Sequence, residues 1–304
     1  MNSCERSAQL ASLLREQILP LIPGDYVLYG LPYYSNIGDT LIWEGALELL
    51  KRIRGRCRGV CAWNAYPERI LPENTTILIM GGGYFGDLWR PAWESVLRQI
   101  RLNSHCRIVI LPSSVWYQDT AVMQADAEIL AAAPRLTVCA RDKQSYDLVS
   151  ENFRNPVLLV PDLAFAIVPE RLARWEVPAT EEILYIRRTD PEFIPESDVR
   201  VPANAVVADW PTVTHRGFPE KIVTRLARIP FLKDWAYYHI HRTRMTSRGV
   251  RFISRYRTVY STRLHGMVLS ALLGRDTYFL DNSYGKVGAL YDTWLRDVDN
   301  VHRL

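Results

Sequence analysis

Five short runs in the first half of the chain, at residues 26–30, 77–80, 107–111, 136–140 and 157–160, are almost wholly apolar rather than in alternation. A strand that shows no polar face must be covered on both sides, which is the situation of strands in a parallel sheet. Between these runs, residues 40–54, 89–102, 121–132 and 143–153 carry apolar residues at helical spacing. Strands alternating with helices predict an α/β fold with helices on both faces of a parallel sheet. The rhythm breaks over residues 161–178, which hold three prolines and scattered charge, and the interdomain linker is placed there. A second series follows, with strands at 183–186, 205–207, 258–260 and 277–280 and helices at 219–228, 232–247, 264–273 and 287–295. The expectation is two Rossmann-like domains, 1–165 and 166–304, facing a central cleft bounded by the carboxyl ends of their strands, where open α/β sheets bind ligands.

Composition removes several function classes. A 48% hydrophobic and 23% charged chain of 304 residues is that of an ordinary globular protein, not of a disordered or fibrous one. No run approaches the ~18–20 apolar residues needed to span a bilayer. The first residues lead into an amphipathic stretch broken by Arg15 and Glu16, which does not read as a secretory signal. A net charge of +4 is too mild to argue for nucleic acid. The cysteines at 4, 57, 61, 106 and 139 show no metal-ligand spacing, so no metal is expected and the chain reads as reduced and cytoplasmic.

The chemistry is expected in the polar loops after the strands. In Tyr33-Tyr34-Ser35-Asn36-Ile37-Gly38-Asp39, Ser35 or Asn36 caps a helix and Gly38 allows a tight entry. Asp39 then either serves the helix dipole or accepts a proton from a sugar hydroxyl, with Asn36 and Gly38 in a substrate-facing turn. Gly81-Gly82-Gly83-Tyr84-Phe85-Gly86-Asp87 lacks both the spaced dinucleotide fingerprint and a P-loop lysine. Its glycines, Gly82 and Gly83 above all, are read as a turn letting backbone approach a ligand. Ser113, in the loop Pro112-Ser113-Ser114-Val115-Trp116-Tyr117, joins the substrate side, while Trp116 and Tyr117 suit either sugar stacking or packing. Arg141-Asp142 reads as a structural pair. Asp162, after Val160-Pro161, puts a carboxylate at the mouth of the cleft.

In the second half, Arg187 and Arg188 follow a strand, and Arg263-Leu264-His265 lies between a strand and an apolar helix. Arginine forks match carboxylate and phosphate, and helix N-termini favour anions, so this group reads as an anion clamp with a proton donor. Ten Lys/Arg against one acid, Asp234, between residues 225 and 263 form either a solvated basic face or a surface for anionic lipid. The proline-bearing stretch 189–217 reads as a lid or insert.

Taken in order, Ser35-Asn36-Ile37-Gly38-Asp39, Gly81 to Leu88, Ile110-Leu111-Pro112-Ser113-Ser114, Ala140-Arg141-Asp142, Val160-Pro161-Asp162, Tyr185 to Asp190 and Ser261-Thr262-Arg263-Leu264-His265-Gly266 resemble the polysaccharide pyruvyl transferase family, its bacterial exopolysaccharide members in particular. The resemblance runs from residue 26 to about 285. It implies a fold similar to the B-type glycosyltransferases and transfer of pyruvate from phosphoenolpyruvate to a sugar as a cyclic ketal, with no further cofactor. It assigns the family's donor-binding arginine to Arg187 or Arg188, and its Arg-Leu-His motif to Arg263, Leu264 and His265. The sugar acceptor would be an exopolysaccharide or its lipid-diphosphate-linked precursor, which fits peripheral contact with the inner face of the membrane. In this chemistry His265 is the expected general acid, the arginines hold the anionic groups, and Asp39 and Asp162 are candidates for the base or orienter of the attacking hydroxyl. Two rivals stand beside it: a nucleotide-sugar glycosyltransferase, for which Asp281 is the one arguable ribose anchor, and a non-catalytic surface-binding protein using the basic helix.

Overall fold

The structure is a computed structural model, and it describes residues 1–188, 201–211, 218–281 and 285–304, leaving the side chains of 218–221, 230 and 231 aside. The expected lid at 189–217 lies largely outside the described residues. In chain order the elements begin α1 (Ser3–Ile18), β1 (Tyr26–Leu31), α2 (Ile37–Leu50), β2 (Cys57–Ala62), β3 (Thr76–Ile79), β4 (Gly82–Gly86), α3 (Arg90–Leu102), β5 (Arg107–Trp116), α4 (Thr120–Ala131), β6 (Leu136–Ala140), α5 (Lys143–Asn152) and β7 (Val157–Leu159). They continue with α6 (Pro169–Ala173), β8 (Glu181–Ile186), β9 (Val206–Ala208), α7 (Phe218–Leu226), α8 (Pro230–Trp235), α9 (Arg242–Ser254), β10 (Tyr256–Ser261), α10 (Leu264–Leu272), β11 (Asp276–Phe279), α11 (Lys286–Trp294) and β12 (Val301–Arg303). Among the described residues no helix is long and apolar enough to cross a membrane.

The protein is α/β, and every described strand pairing is parallel. One sheet runs β2-β1-β3-β5-β6-β7 with β4 beside β5, and the other runs β12-β11-β10-β8-β9. The chain divides into two compact units, one of residues 12–33 and 46–163, the other of 1–11, 34–45 and 164–304. The expected boundary at 165/166 lies beside the last of these crossings. The early segments 1–11 and 34–45 group with the second sheet.

In the first sheet β1 and β3 are buried along their whole length, as their unbroken apolar sequences require. On α3 the residues Trp93, Val96, Leu97 and Ile100 are buried on one face. Each such side chain stabilises the fold by ~1.5–3 kcal/mol relative to exposure. Asp119 and Asp142 accept backbone N–H bonds at the starts of α4 and α5, satisfying donors that a helix leaves unpaired.

Several expectations are corrected. Arg15 and Glu16 do not break α1: Leu10, Leu14 and Ile18 are buried at four-residue spacing while Glu16 is exposed. The stretch 112–116 is not a loop but the continuation of β5, and Gly82–Gly86 is not a turn but β4 alongside it. The irregular register of β5 against β6 between Ile110 and Ser113 falls where Pro112 has no N–H to donate, so the proline is tolerated at a bulge. Residues 232–247 are not one α-helix: α8 passes through a π-helical turn, Ala236–His241, into α9. Tyr117 packs against Phe85 and Phe153 and donates to the buried Asp126 carboxylate at 2.8 Å. Burial, together with that negative charge, pushes its hydroxyl pKa upward.

Candidate active site

In the second sheet the chain leaves β8 first toward β9 on one side and then returns to β10 on the other. The carboxyl ends of β8 and β10 therefore flank a topological switch point, the place where open α/β sheets form a binding crevice. Arg187 and Arg188 follow β8, and Arg263 to His265 follow β10, at that point. The two turns are stitched together. The N–H of Thr262 donates to the carbonyl of Ile186 at 3.0 Å, and the N–H of Arg188 donates to Thr262 Oγ1 at 3.0 Å. Arg187 is exposed and Arg188 buried.

Arg263 precedes α10, and its backbone is held at both groups by Ser261: its N–H donates to Ser261 Oγ at 3.1 Å, and that hydroxyl donates to the Arg263 carbonyl at 2.9 Å. Its guanidinium makes a two-pronged contact with Asp209, Nε to Oδ1 at 2.5 Å and Nη2 to Oδ2 at 2.7 Å. Leu264, expected to touch substrate, is 4% exposed and opens the buried helix α10, so its side chain belongs to the core.

His265 is buried, and its imidazole rests on the first turn of α2. A Cβ added to Gly38 would fall 2.6 Å from His265 Nδ1 and 3.0 Å from Cγ. Only a residue without a side chain leaves room for the ring there. Asn36 caps the same turn, its Oδ1 accepting from the Asp39 N–H at 3.3 Å. Asp39 Oδ2 in turn accepts from Asn36 Nδ2 at 2.7 Å and from the Tyr34 hydroxyl at 2.9 Å. The Tyr34 carbonyl lies 3.1 Å from His241 Nε2 on the π-helical turn. The dipole reading and the substrate-facing reading of Asp39 are thus compatible. One carboxylate oxygen is held by two donors, in the same turn that seats the imidazole.

Of the expected residues, Arg187, Arg188, Arg263, His265, Asn36, Gly38 and Asp39 belong to the second unit. Gly82, Gly83, Ser113 and Asp162 belong to the first and form a group of their own. Asp162 is not a carboxylate at an open mouth: it is fully buried and accepts from Arg141 Nη1 at 2.8 Å. Arg141 Nε donates to Ser114 Oγ at 2.9 Å, and that hydroxyl donates to Asp142 at 2.6 Å. Gly83 lies beside this network, a Cβ there meeting Arg141 Nη2 at 3.7 Å. Gly82 has φ +144°, a backbone state suited to glycine. The Ser113 hydroxyl is spent on the Leu111 carbonyl at 2.8 Å. Asp281 accepts from the N–H groups of Val287 and Gly288, both at 3.1 Å, and so serves the start of α11. Among the described residues no cluster of three or more His, Cys, Asp or Glu is placed to share a cation.

Asp209 escapes the sequence reading. A sequence signal exists, since Val206-Val207-Ala208-Asp209 ends an apolar run in a carboxylate just as Val160-Pro161-Asp162 does.

Comparison with known proteins points one way. The chain is 31% identical to a protein of Bacillus subtilis (strain 168) named, provisionally, pyruvyl transferase EpsO, over 93% of this chain and 90% of that protein. It is 27% identical to pyruvyl transferase 1 of Schizosaccharomyces pombe, over 88% of this chain and 69% of that one. A crystal structure of a functionally uncharacterised protein from Klebsiella pneumoniae superposes with a TM-score of 0.69 at 18% identity, covering 100% of this chain and 99% of that one, which shows a shared fold. The family model described as polysaccharide pyruvyl transferase matches residues 36–284. This chain belongs to the polysaccharide pyruvyl transferase family and is a transferase enzyme.

Proposed function

We propose that this enzyme transfers pyruvate from phosphoenolpyruvate to a sugar of an exopolysaccharide, or of its lipid-diphosphate-linked precursor, forming a cyclic ketal and releasing phosphate. The observation that carries the reading is the gathering of arginines and one imidazole at the switch point of the second sheet, with the imidazole seated on α2. The B-type glycosyltransferase likeness, with Rossmann-like halves, is part of the same reading. So is peripheral contact with the inner membrane face through the basic stretch 225–263.

Phosphoenolpyruvate carries a carboxylate and a phosphate, and planar guanidinium forks match both. The arginine after β8 and Arg263 hold these groups. His265 donates a proton to the methylene carbon, leaving positive charge at the carbon that bears phosphate. A sugar hydroxyl attacks that carbon and gives up its proton, with Asp39 as the orienting or accepting group. Phosphate leaves with the electron pair of its C–O bond, stabilised by the arginines. A second hydroxyl of the same sugar then closes the ring and loses its proton. An imidazole suits the acid role because a ring nitrogen can give a proton and take one back. The burial and ion pair of Asp162 point to a structural part for that carboxylate instead.

The test is incubation with phosphoenolpyruvate and a panel of lipid-linked and aryl glycosides, reading phosphate release and product mass together. His265→Ala is expected to fold and to lose ~10²–10⁴ in turnover. An unchanged rate removes His265 from the mechanism.

A further inference from the structure

We propose that Asp209 is a positioning residue for Arg263, and that it decides which edge of that guanidinium meets the donor. The inference deepens the reading of Arg263 as a donor-binding group and rests on it.

β9 pairs with β8 in the register Leu184↔Val206, Tyr185↔Val207 and Ile186↔Ala208. The N–H of Arg187 donates to the Ala208 carbonyl at 3.0 Å. Asp209 therefore emerges at the same sheet edge as the arginines after β8, with β8 lying between its strand and the strand whose turn carries Arg263. The two side chains are largely buried, 19% exposed for Arg263 and 12% for Asp209. Their contact is two-pronged, with the guanidinium presenting its Nε and Nη2 hydrogens together. At the other end of the same side chain, Ser261 holds the backbone N–H and carbonyl of Arg263. An arginine has four side-chain torsions, and here both ends are tied, so the plane of the guanidinium is set before substrate arrives.

Two consequences follow from this geometry. The Nε–Nη2 edge is committed to Asp209, so whatever Arg263 offers a substrate comes from its Nη1 side. Arg263 then serves as a fixed directional donor, aimed by Asp209 so that the end of its guanidinium, Nη1 with the outer Nη2 hydrogen, is the part turned to an anion. The carboxylate also offsets the charge of Arg263. Its contribution to binding a dianionic enol ester is thus one of direction more than of bulk attraction, and direction counts most when charge moves to the departing phosphate.

The experiment is a double-mutant cycle on the whole enzyme, with phosphate release from phosphoenolpyruvate as readout and both substrates varied. The variants are Asp209→Ala, Asp209→Asn, Arg263→Ala and the Asp209→Ala/Arg263→Ala pair. Melting temperatures identify those that stay folded. Asp209→Ala is expected to lower kcat/KM for phosphoenolpyruvate by ~10- to 100-fold, the range for losing a charge-assisted fork. The acceptor KM should stay within about twofold. Asp209→Asn, which keeps one acceptor oxygen for Nε, should fall between wild type and Asp209→Ala. In the Arg263→Ala background the loss from Asp209→Ala should vanish, because nothing is left to aim. The assignment is overturned if that loss persists undiminished without Arg263, or if the acceptor KM moves as much as the donor term. It is also overturned if both Asp209 variants match wild type. A wild-type protein that does not consume phosphoenolpyruvate overturns the donor reading itself, and this proposal with it.

Discussion

The contact between Gly38 and His265 makes Gly38→Ala the sharpest test of the site. The added methyl carbon would sit 2.6 Å from Nδ1, 3.0 Å from Cγ and 3.1 Å from Cβ of the imidazole. Non-bonded heavy atoms rest comfortably at ~3.5–4.0 Å, so the ring or the first turn of α2 must give way by about 1 Å. A displacement of that size at a reacting group costs ~10²-fold in rate, or about 2.7 kcal/mol in the barrier. The effect on folding is smaller because two terms oppose each other. Alanine gains up to ~1 kcal/mol over glycine within a helix, and crowding of a packed site costs ~1–3 kcal/mol. The expected outcome is a folded protein, melting a few degrees lower at most, with phosphate release from phosphoenolpyruvate reduced by ~10²-fold. Gly38→Ala/His265→Ala should be no slower than His265→Ala alone, since both act on one group. A Gly38→Ala enzyme with wild-type turnover would refute the reasoning, as would a double variant in which the two losses multiply.

Other outcomes can be checked independently. Asp162→Ala removes the buried carboxylate to which Arg141, itself 2% exposed, donates. It is expected to lose ~3–5 kcal/mol of stability in urea unfolding, and a shift within error would mean the network is not structural. Arg188→Ala should raise the phosphoenolpyruvate requirement more than Arg187→Ala does, because Arg188 is the buried one and its N–H is tied to Thr262; titration of donor dependence decides. Burial pushes the Cys139 thiol up to about 12, and Cys61 and Cys106 are buried too. A thiol reagent near neutral pH should therefore modify Cys4 first and Cys57 next. Burial also raises the Cys57 thiol, and rapid modification of all five thiols in the native protein would contradict this packing.

Much of the architecture was legible because a parallel sheet writes itself plainly. Strand β6 occupies 136–140, the span its apolar run marks, and Arg263 to His265 lie at the β10–α10 junction where the change of periodicity puts them. What stayed hidden has physical reasons. β2 is a half-exposed edge strand carrying Arg58, so it lacks a buried strand's signature. β4 is written almost wholly in glycine and aromatics, which read as a turn until its pairing with β5 is known. Asp209 becomes meaningful only through the register of β9 on β8. The seat of His265 is built by a glycine more than two hundred residues earlier, and no local pattern announces that. The base or orienter role given to Asp162 came from its place after a strand, whereas its burial depends on Arg141 arriving from the neighbouring strand end.

The chain passes between its two compact units four times, near residues 11, 33, 45 and 163. Residues 166–304, produced as a separate polypeptide, would keep the arginines and the imidazole but leave behind Asn36, Gly38 and Asp39, the cap on which that ring rests. Recombination between homologues at residue 165 would pair one parent's histidine with the other parent's helix start. The mixed offspring should fail wherever that glycine had been replaced, so exchange that preserves activity has to carry positions 34–45 together with the distant carboxyl-terminal half.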